Sequence, residues 1–77
     1  MKLVEAVSKR VTNLLEERKM TQYALASLGG IPRQTISNVV KGQHEKVALD
    51  TIYQIASSFG MSLEQFFADP IFNDLSD

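Results

Sequence analysis

The sequence predicts an all-α domain of five helices around one core, and three observations carry that prediction. Apolar residues recur at three- and four-residue spacing from Val4 to Leu15 and again from Leu49 to Phe59, the periodicity of helices with one buried side. Between them, Thr21 to Gly42 holds two short helical patterns divided by Gly29-Gly30, where glycine reverses the chain without steric cost. The composition agrees: 77 residues make one small domain with a modest core, and 44% hydrophobic content suits a folded unit rather than a disordered one.

The first helix is expected over Leu3 to Arg18, with Val4, Val7, Val11, Leu14 and Leu15 as its stripe. Glu5 and Lys9 form an (i, i+4) pair in the favourable order, worth roughly a few tenths of a kcal/mol. Lys9-Arg10 is a basic cluster able to touch phosphates, whereas Arg18 and Lys19 sit where a helix C terminus favours cations. Thr21 is the N-cap of the second helix, Met20 and Leu25 stand at staple spacing, and Leu25, Ala26 and Leu28 set its apolar side. Pro32 opens the third helix, about 32–41, and Gly42 closes it. Gln43 to Val47 is a loop. Leu49, Ile52, Ile55, Ala56 and Phe59 define the fourth helix, stopped by Gly60. Ser62 and Gln65 form a capping box for the fifth, with Met61 and Phe66 as its staple and Pro70 as its end. Residues 1–69 thus form the domain, and 70–77 a short acidic tail.

The third helix divides by chemistry. Ile36, Val39 and Val40 fall on one side, and Arg33, Gln34, Ser37, Asn38 and Lys41 on the other. That polar side carries a guanidinium, two carboxamides, a hydroxyl and an ammonium, and no carboxylate. Arginine bonds bidentately to guanine O6 and N7, and Gln or Asn to adenine N6 and N7. A polar helix face taken alone is usually just solvated. Here it follows a tight turn, and Thr21-Gln22, the spacing of Ala26 and Gly30, and the run Ile31 to Ser37 resemble the helix-turn-helix DNA-binding domains of the phage-repressor type, the Cro/CI or Xre-like family. The resemblance runs without gaps from Arg10 to Phe67. It implies the λ-repressor-like fold, with the helix-turn-helix at helices two and three and the recognition helix in the major groove of double-stranded DNA. It also implies base contacts by Arg33, Gln34, Ser37 and Asn38. Phosphate contacts would come from Gln22 at the positive end of the second helix, the Tyr23 hydroxyl, Lys41, and Lys46 in the following loop. Tyr23 reads equally as a half-buried surface aromatic, and His44 as an exposed loop residue.

Charge and composition set limits. The formal net charge is −1 and the pI about 5.7, without the strongly basic balance of many nucleic-acid binders. The distribution is uneven: residues 1–59 hold all eight Lys and Arg against five acids, whereas residues 60–77 hold four acids and no base. Ordinary specific binding with weak non-specific binding is expected. No cysteine and a single histidine leave no disulfide framework and no metal cluster, and no Gly-rich phosphate loop or hydroxyl–histidine pair suggests catalysis. The expectation is a non-enzyme with no cofactor. No apolar run reaches membrane-span length and no signal-peptide core is seen, so a cytoplasmic location without membrane contact is expected.

Two features depart from the resembling family or go beyond it. Many relatives carry an Arg late in the first helix and a Glu near the end of the recognition helix that meet as a buried ion pair; the matching positions here are Leu15 and Val40. Both are apolar, and packing is expected to replace charge between them. At the C-terminal end, Phe66, Phe67, Ile71, Phe72 and Leu75 are a candidate homodimer contact, the alternative being that the tail folds back on its own core. Two function classes follow. The first is a sequence-specific regulator, a repressor by resemblance, controlled through its concentration or a protein partner. The second is an antitoxin or protein-interaction module acting through the apolar C-terminal end.

Overall fold

Helix α1, Leu3–Arg18, buries Ala6, Val7, Val11, Leu14 and Leu15; against the stripe that the spacing predicts, Ala6 is added and Val4 is only half-buried. A computed structural model of the chain describes residues 1–42 and 46–76. Four further helices follow: α2 Gln22–Gly29, α3 Arg33–Lys41, α4 Leu49–Ser58 and α5 Leu63–Phe66, then a 3-10 turn over Pro70–Asn73. Helix α3 lies against α1 and α2, α4 against α2 and α5, and the 3-10 turn against α1. The all-α, five-helix architecture is as the sequence predicts.

One closure ends α1, α2 and α4 alike. In each, a residue in the left-handed region follows the helix: Lys19 at φ 54°, Gly30 at 64° and Gly60 at 73°. The next N–H then bonds back five residues, from Met20 to Leu15 O at 2.9 Å, Ile31 to Ala26 O at 3.0 Å, and Met61 to Ala56 O at 2.9 Å. This closure satisfies carbonyls that a helix end leaves free and turns an apolar residue back inward. Ile31 is buried, and Met20 and Met61 pack against the core. Gly29 serves another purpose: a Cβ there would lie 2.2 Å from Ser58 Oγ, so its absence lets α2 approach α4.

The core joins α1, α2, α3, α4 and α5 through Val11, Leu25, Ile36, Ile55 and Phe66, each at 0% exposure. Leu28 and Leu49 correct the expected apolar sides, being 65% and 66% exposed. At 100° per residue Leu28 stands roughly 110° from the middle of the arc formed by Leu25, Ala26 and Gly29, which faces the interior. Leu49 is the first residue of α4 and lies at the outer edge of its stripe. Pro32 is the N-cap of α3 rather than its first residue, with ψ 137° and its carbonyl accepting from Thr35 and Ile36. Its lack of an N–H therefore still costs the helix nothing.

The C-terminal end also differs from expectation. Helix α5 spans four residues and stops before Pro70. Its capping box is present, Ser62 N–H donating to Gln65 Oε1 and Gln65 N–H to Ser62 Oγ. The chain then turns, and the Asp69 carboxylate accepts the Ile71 N–H at 2.9 Å, capping a separate 3-10 turn. Residues Phe66, Phe67 and Phe72 form one ring cluster with centroid separations of 5.2, 6.0 and 4.9 Å. Ser76 N–H donates to Met1 O at 3.0 Å, and the Met1 ammonium to Ser76 Oγ at 2.8 Å, so the tail lies back on the N-terminal end. The radius of gyration, 11.4 Å, matches the roughly 11.5 Å of a compact chain of this length.

Leu15 is buried, and Val40 is half-buried and packed against the same core. The Ser8 hydroxyl of α1 also donates to the Val40 carbonyl, so α1 holds the end of α3 by a polar and an apolar route. Val40→Glu should destabilise by about 2 kcal/mol or more, because it sets a carboxylate against apolar neighbours. Adding Leu15→Arg should recover part of that loss in urea unfolding. Additive effects would show that the two positions do not interact.

Candidate nucleic-acid interface

Helix α3 is built to show one side outward. Ile36 and Val39 are buried, at 0% and 6% exposure, which fixes the rotation of the helix about its axis. Arg33, Gln34 and Lys41 are then exposed, and Ser37 and Asn38 half-buried. The polar side that the sequence predicts is thus one surface. Gln34 Nε2 donates to Asn38 Oδ1 at 2.8 Å, an (i, i+4) bond that links two of the four expected base-contacting residues.

The start of α2 lies beside the start of α3. Thr21 caps α2, its hydroxyl accepting the Ala24 N–H at 3.0 Å. Gln22 and Tyr23 follow, both exposed, at the end where backbone N–H groups and the helix dipole favour an anion. The Arg33 guanidinium lies over the Tyr23 ring, 5.2 Å from its centroid. No sequence pattern signals this contact: the residues are ten apart, and the turn through Gly30 brings them together. Thr35, which fits neither side of the α3 pattern, is half-buried and lines a shallow depression with Asn38, Val39, Lys46 and Val47. That depression places Lys46 beside the polar side of α3. Gln43, His44 and Glu45 of the expected phosphate-following loop lie outside the described residues.

Two arginines are not part of this surface. Arg10 donates through Nε to Phe66 O at 2.8 Å, through NH2 to Gln65 O at 3.0 Å, and pairs with Asp69 at 3.2 Å. It caps the short α5 and ties the C-terminal end to α1, so its guanidinium is engaged within its own chain. Arg18, in the last turn of α1 as expected, also donates to Phe59 O at 2.8 Å and so closes α4 as well. Glu5 receives the Lys2 N–H at 2.8 Å and so caps α1.

The expected dimer residues are placed unevenly. Phe66 is fully buried in the core of its own chain, so its side chain is not open to a partner. Phe67, Ile71 and Phe72 are half-buried, and Leu75 is 41% exposed. Among the described residues, no group of three or more His, Cys, Asp or Glu side chains is placed to hold a metal ion, and no helix is long and apolar enough to cross a membrane.

A family model for the Cro/C1-type helix-turn-helix DNA-binding domain matches residues 10–70, which contain α2, α3 and their turn. The chain belongs to that family. It is also similar to the HTH-type transcriptional regulator PuuR of Escherichia coli (strain K12) and that of Shigella flexneri, each 28% identical over 67 residues and 84% of this chain. The chain spans 35% of the length of these two relatives. Among solved structures, the crystal structure of the prophage Lp1 protein 11 superposes with a TM-score of 0.81 at 26% identity, covering 97% of this chain and all of the other. The Cro/C1-type domain seen here therefore has its helix-turn-helix pair at α2 and α3, as the resemblance implied.

Arg10→Lys separates the two classes of cation. It keeps the charge and loses the forked geometry, so it should cost about 1–3 kcal/mol in urea unfolding. The salt dependence of DNA binding by the folded variant should match wild type. A shallower slope would return Arg10 to the phosphate contacts.

Proposed function

We propose that this domain is the DNA-reading part of a sequence-specific transcriptional regulator, a repressor that occludes its site by seating α3 in the major groove. The observation that carries the reading is the outward side of α3. It presents Arg33, Gln34, Ser37 and Asn38 on one surface without a carboxylate, beside the exposed first turn of α2. In helix-turn-helix proteins the N-terminal residues of the second helix of the pair meet base edges. Gln22, Lys41 and Lys46 flank that surface and are assigned to phosphates. Its relatives named as transcriptional regulators support the same role.

A single α3 covers too few base pairs to be selective, and binding in pairs to half-sites about one helical turn apart follows from that limit. At the C-terminal end, Leu75 remains exposed for a two-fold contact, and Leu3 and Met1 are exposed as well. The alternative, an interaction module acting through the apolar C-terminal end, has less to work with. Phe66 lies inside, and Phe67 and Phe72 pack on it.

Selection of binding sites from random duplex DNA should return one preferred half-site. Gln34→Ala should then cost roughly 1–3 kcal/mol on that site and relax preference at one base pair. Equal loss on selected and random DNA would make Gln34 a phosphate contact. Lys46→Ala should weaken binding to both alike and reduce the salt slope by about one unit. An unchanged slope would place its ammonium away from the phosphates. Sedimentation at micromolar concentration, free and with DNA, should show two copies per full site; one copy throughout would rule out the paired arrangement.

A further inference from the structure

The chain has three arginines, and each lies over an aromatic ring: Arg10 over Phe66 at 5.7 Å, Arg18 over Phe59 at 5.6 Å and Arg33 over Tyr23 at 5.2 Å. In the first two the guanidinium carbon lies over the ring while the N–H groups donate to carbonyl oxygens of the same chain. Arg33 has the ring and, among the described residues, no hydrogen-bond acceptor on its edge. It is exposed on the first turn of α3.

Face and edge make separate uses of a guanidinium. A cation–π contact engages the face and leaves the planar fork of N–H donors free. An arginine on an exposed first turn would otherwise move through many rotamers. A ring against its face restrains the plane without competing for the donors, which lowers the ordering cost when they meet an acceptor. The acceptor that matches such a fork in the major groove is the O6 and N7 edge of guanine.

We propose that Tyr23 is a positioning residue for base recognition: its ring holds Arg33 in the orientation that reads guanine. Tyr23 acts from α2, reaches the DNA through Arg33, and contributes by its ring rather than its hydroxyl. This rests on the reading of α3 as a recognition helix. It gives this chain a brace between the two helices of the motif.

The test is binding-site selection from random duplex DNA with wild type, Arg33→Ala, Tyr23→Leu and Tyr23→Phe, each checked by thermal melting. Tyr23 is 61% exposed, so its variants should remain folded. Wild type should select guanine at one position of the half-site, and Arg33→Ala should lose that preference. Tyr23→Leu should reduce it about two- to five-fold, with selected DNA losing more affinity than random duplex. Tyr23→Phe should retain it. Full guanine preference in Tyr23→Leu would overturn the proposal. So would a loss in Tyr23→Phe as large as in Tyr23→Leu, which would make the hydroxyl the active group. Equal weakening of selected and random DNA by Tyr23→Leu would mark a phosphate contact and overturn it too. If wild type selects no sequence at all, the reading of α3 itself fails, a result distinct from these.

Discussion

The outward side of α3 exists because its inward side is held. Ile36 and Val39 are locked into the core, Val40 packs at its edge, and the Ser8 hydroxyl of α1 takes the Val40 carbonyl. Burying two β-branched side chains of that size is worth roughly 3–6 kcal/mol against leaving them in water, a large share of a small domain's stability. A rotation of α3 large enough to hide Arg33 or Gln34 would have to expose Ile36. The position of the polar residues is therefore a consequence of packing, and no hydrogen bond from Arg33 or Gln34 to the rest of the fold is needed to keep them outward.

The same constraint explains how a weakly acidic chain can serve a nucleic-acid surface. Arg10 and Arg18 are committed to carbonyls at the ends of α5 and α4, and Asp69 is paired with Arg10. Among the described residues, the cations left around α3 are Arg33, Lys41 and Lys46. A few phosphate contacts give a shallow salt dependence and little non-specific affinity, so selectivity has to come from the base-facing residues. The brace from Tyr23 to Arg33 fits that requirement, since a pre-set donor fork adds discrimination without adding charge.

Much of this was legible in the sequence, for identifiable reasons. The α1 stripe, the Thr21 cap, the Ser62–Gln65 box and the glycine turn are local patterns, and local physics decides them. The division of α3 into two sides followed from 3.6-residue periodicity alone. What escaped was set by tertiary geometry. Leu28 reads as part of the apolar side because it is apolar, but an eight-residue helix has only a narrow inward arc. Arg10 looked like a surface cation because its carbonyl partners lie more than fifty residues away. The tail could equally have been a partner surface or a seal; the Phe66, Phe67 and Phe72 cluster and the Ser76–Met1 pairing lay it against its own chain. The contact of Tyr23 with Arg33 depends on the angle at Gly30, which no pattern in either helix encodes.

The most direct test of the central claim is an amide chemical-shift titration of the intact chain with its selected duplex. The largest changes are expected at Gln22, Tyr23, Arg33 to Asn38, Lys41 and Lys46, with the C-terminal ring cluster little altered. Changes centred instead on Leu28 and Tyr53, the exposed apolar pair between α2 and α4, would contradict the account and place the binding surface elsewhere.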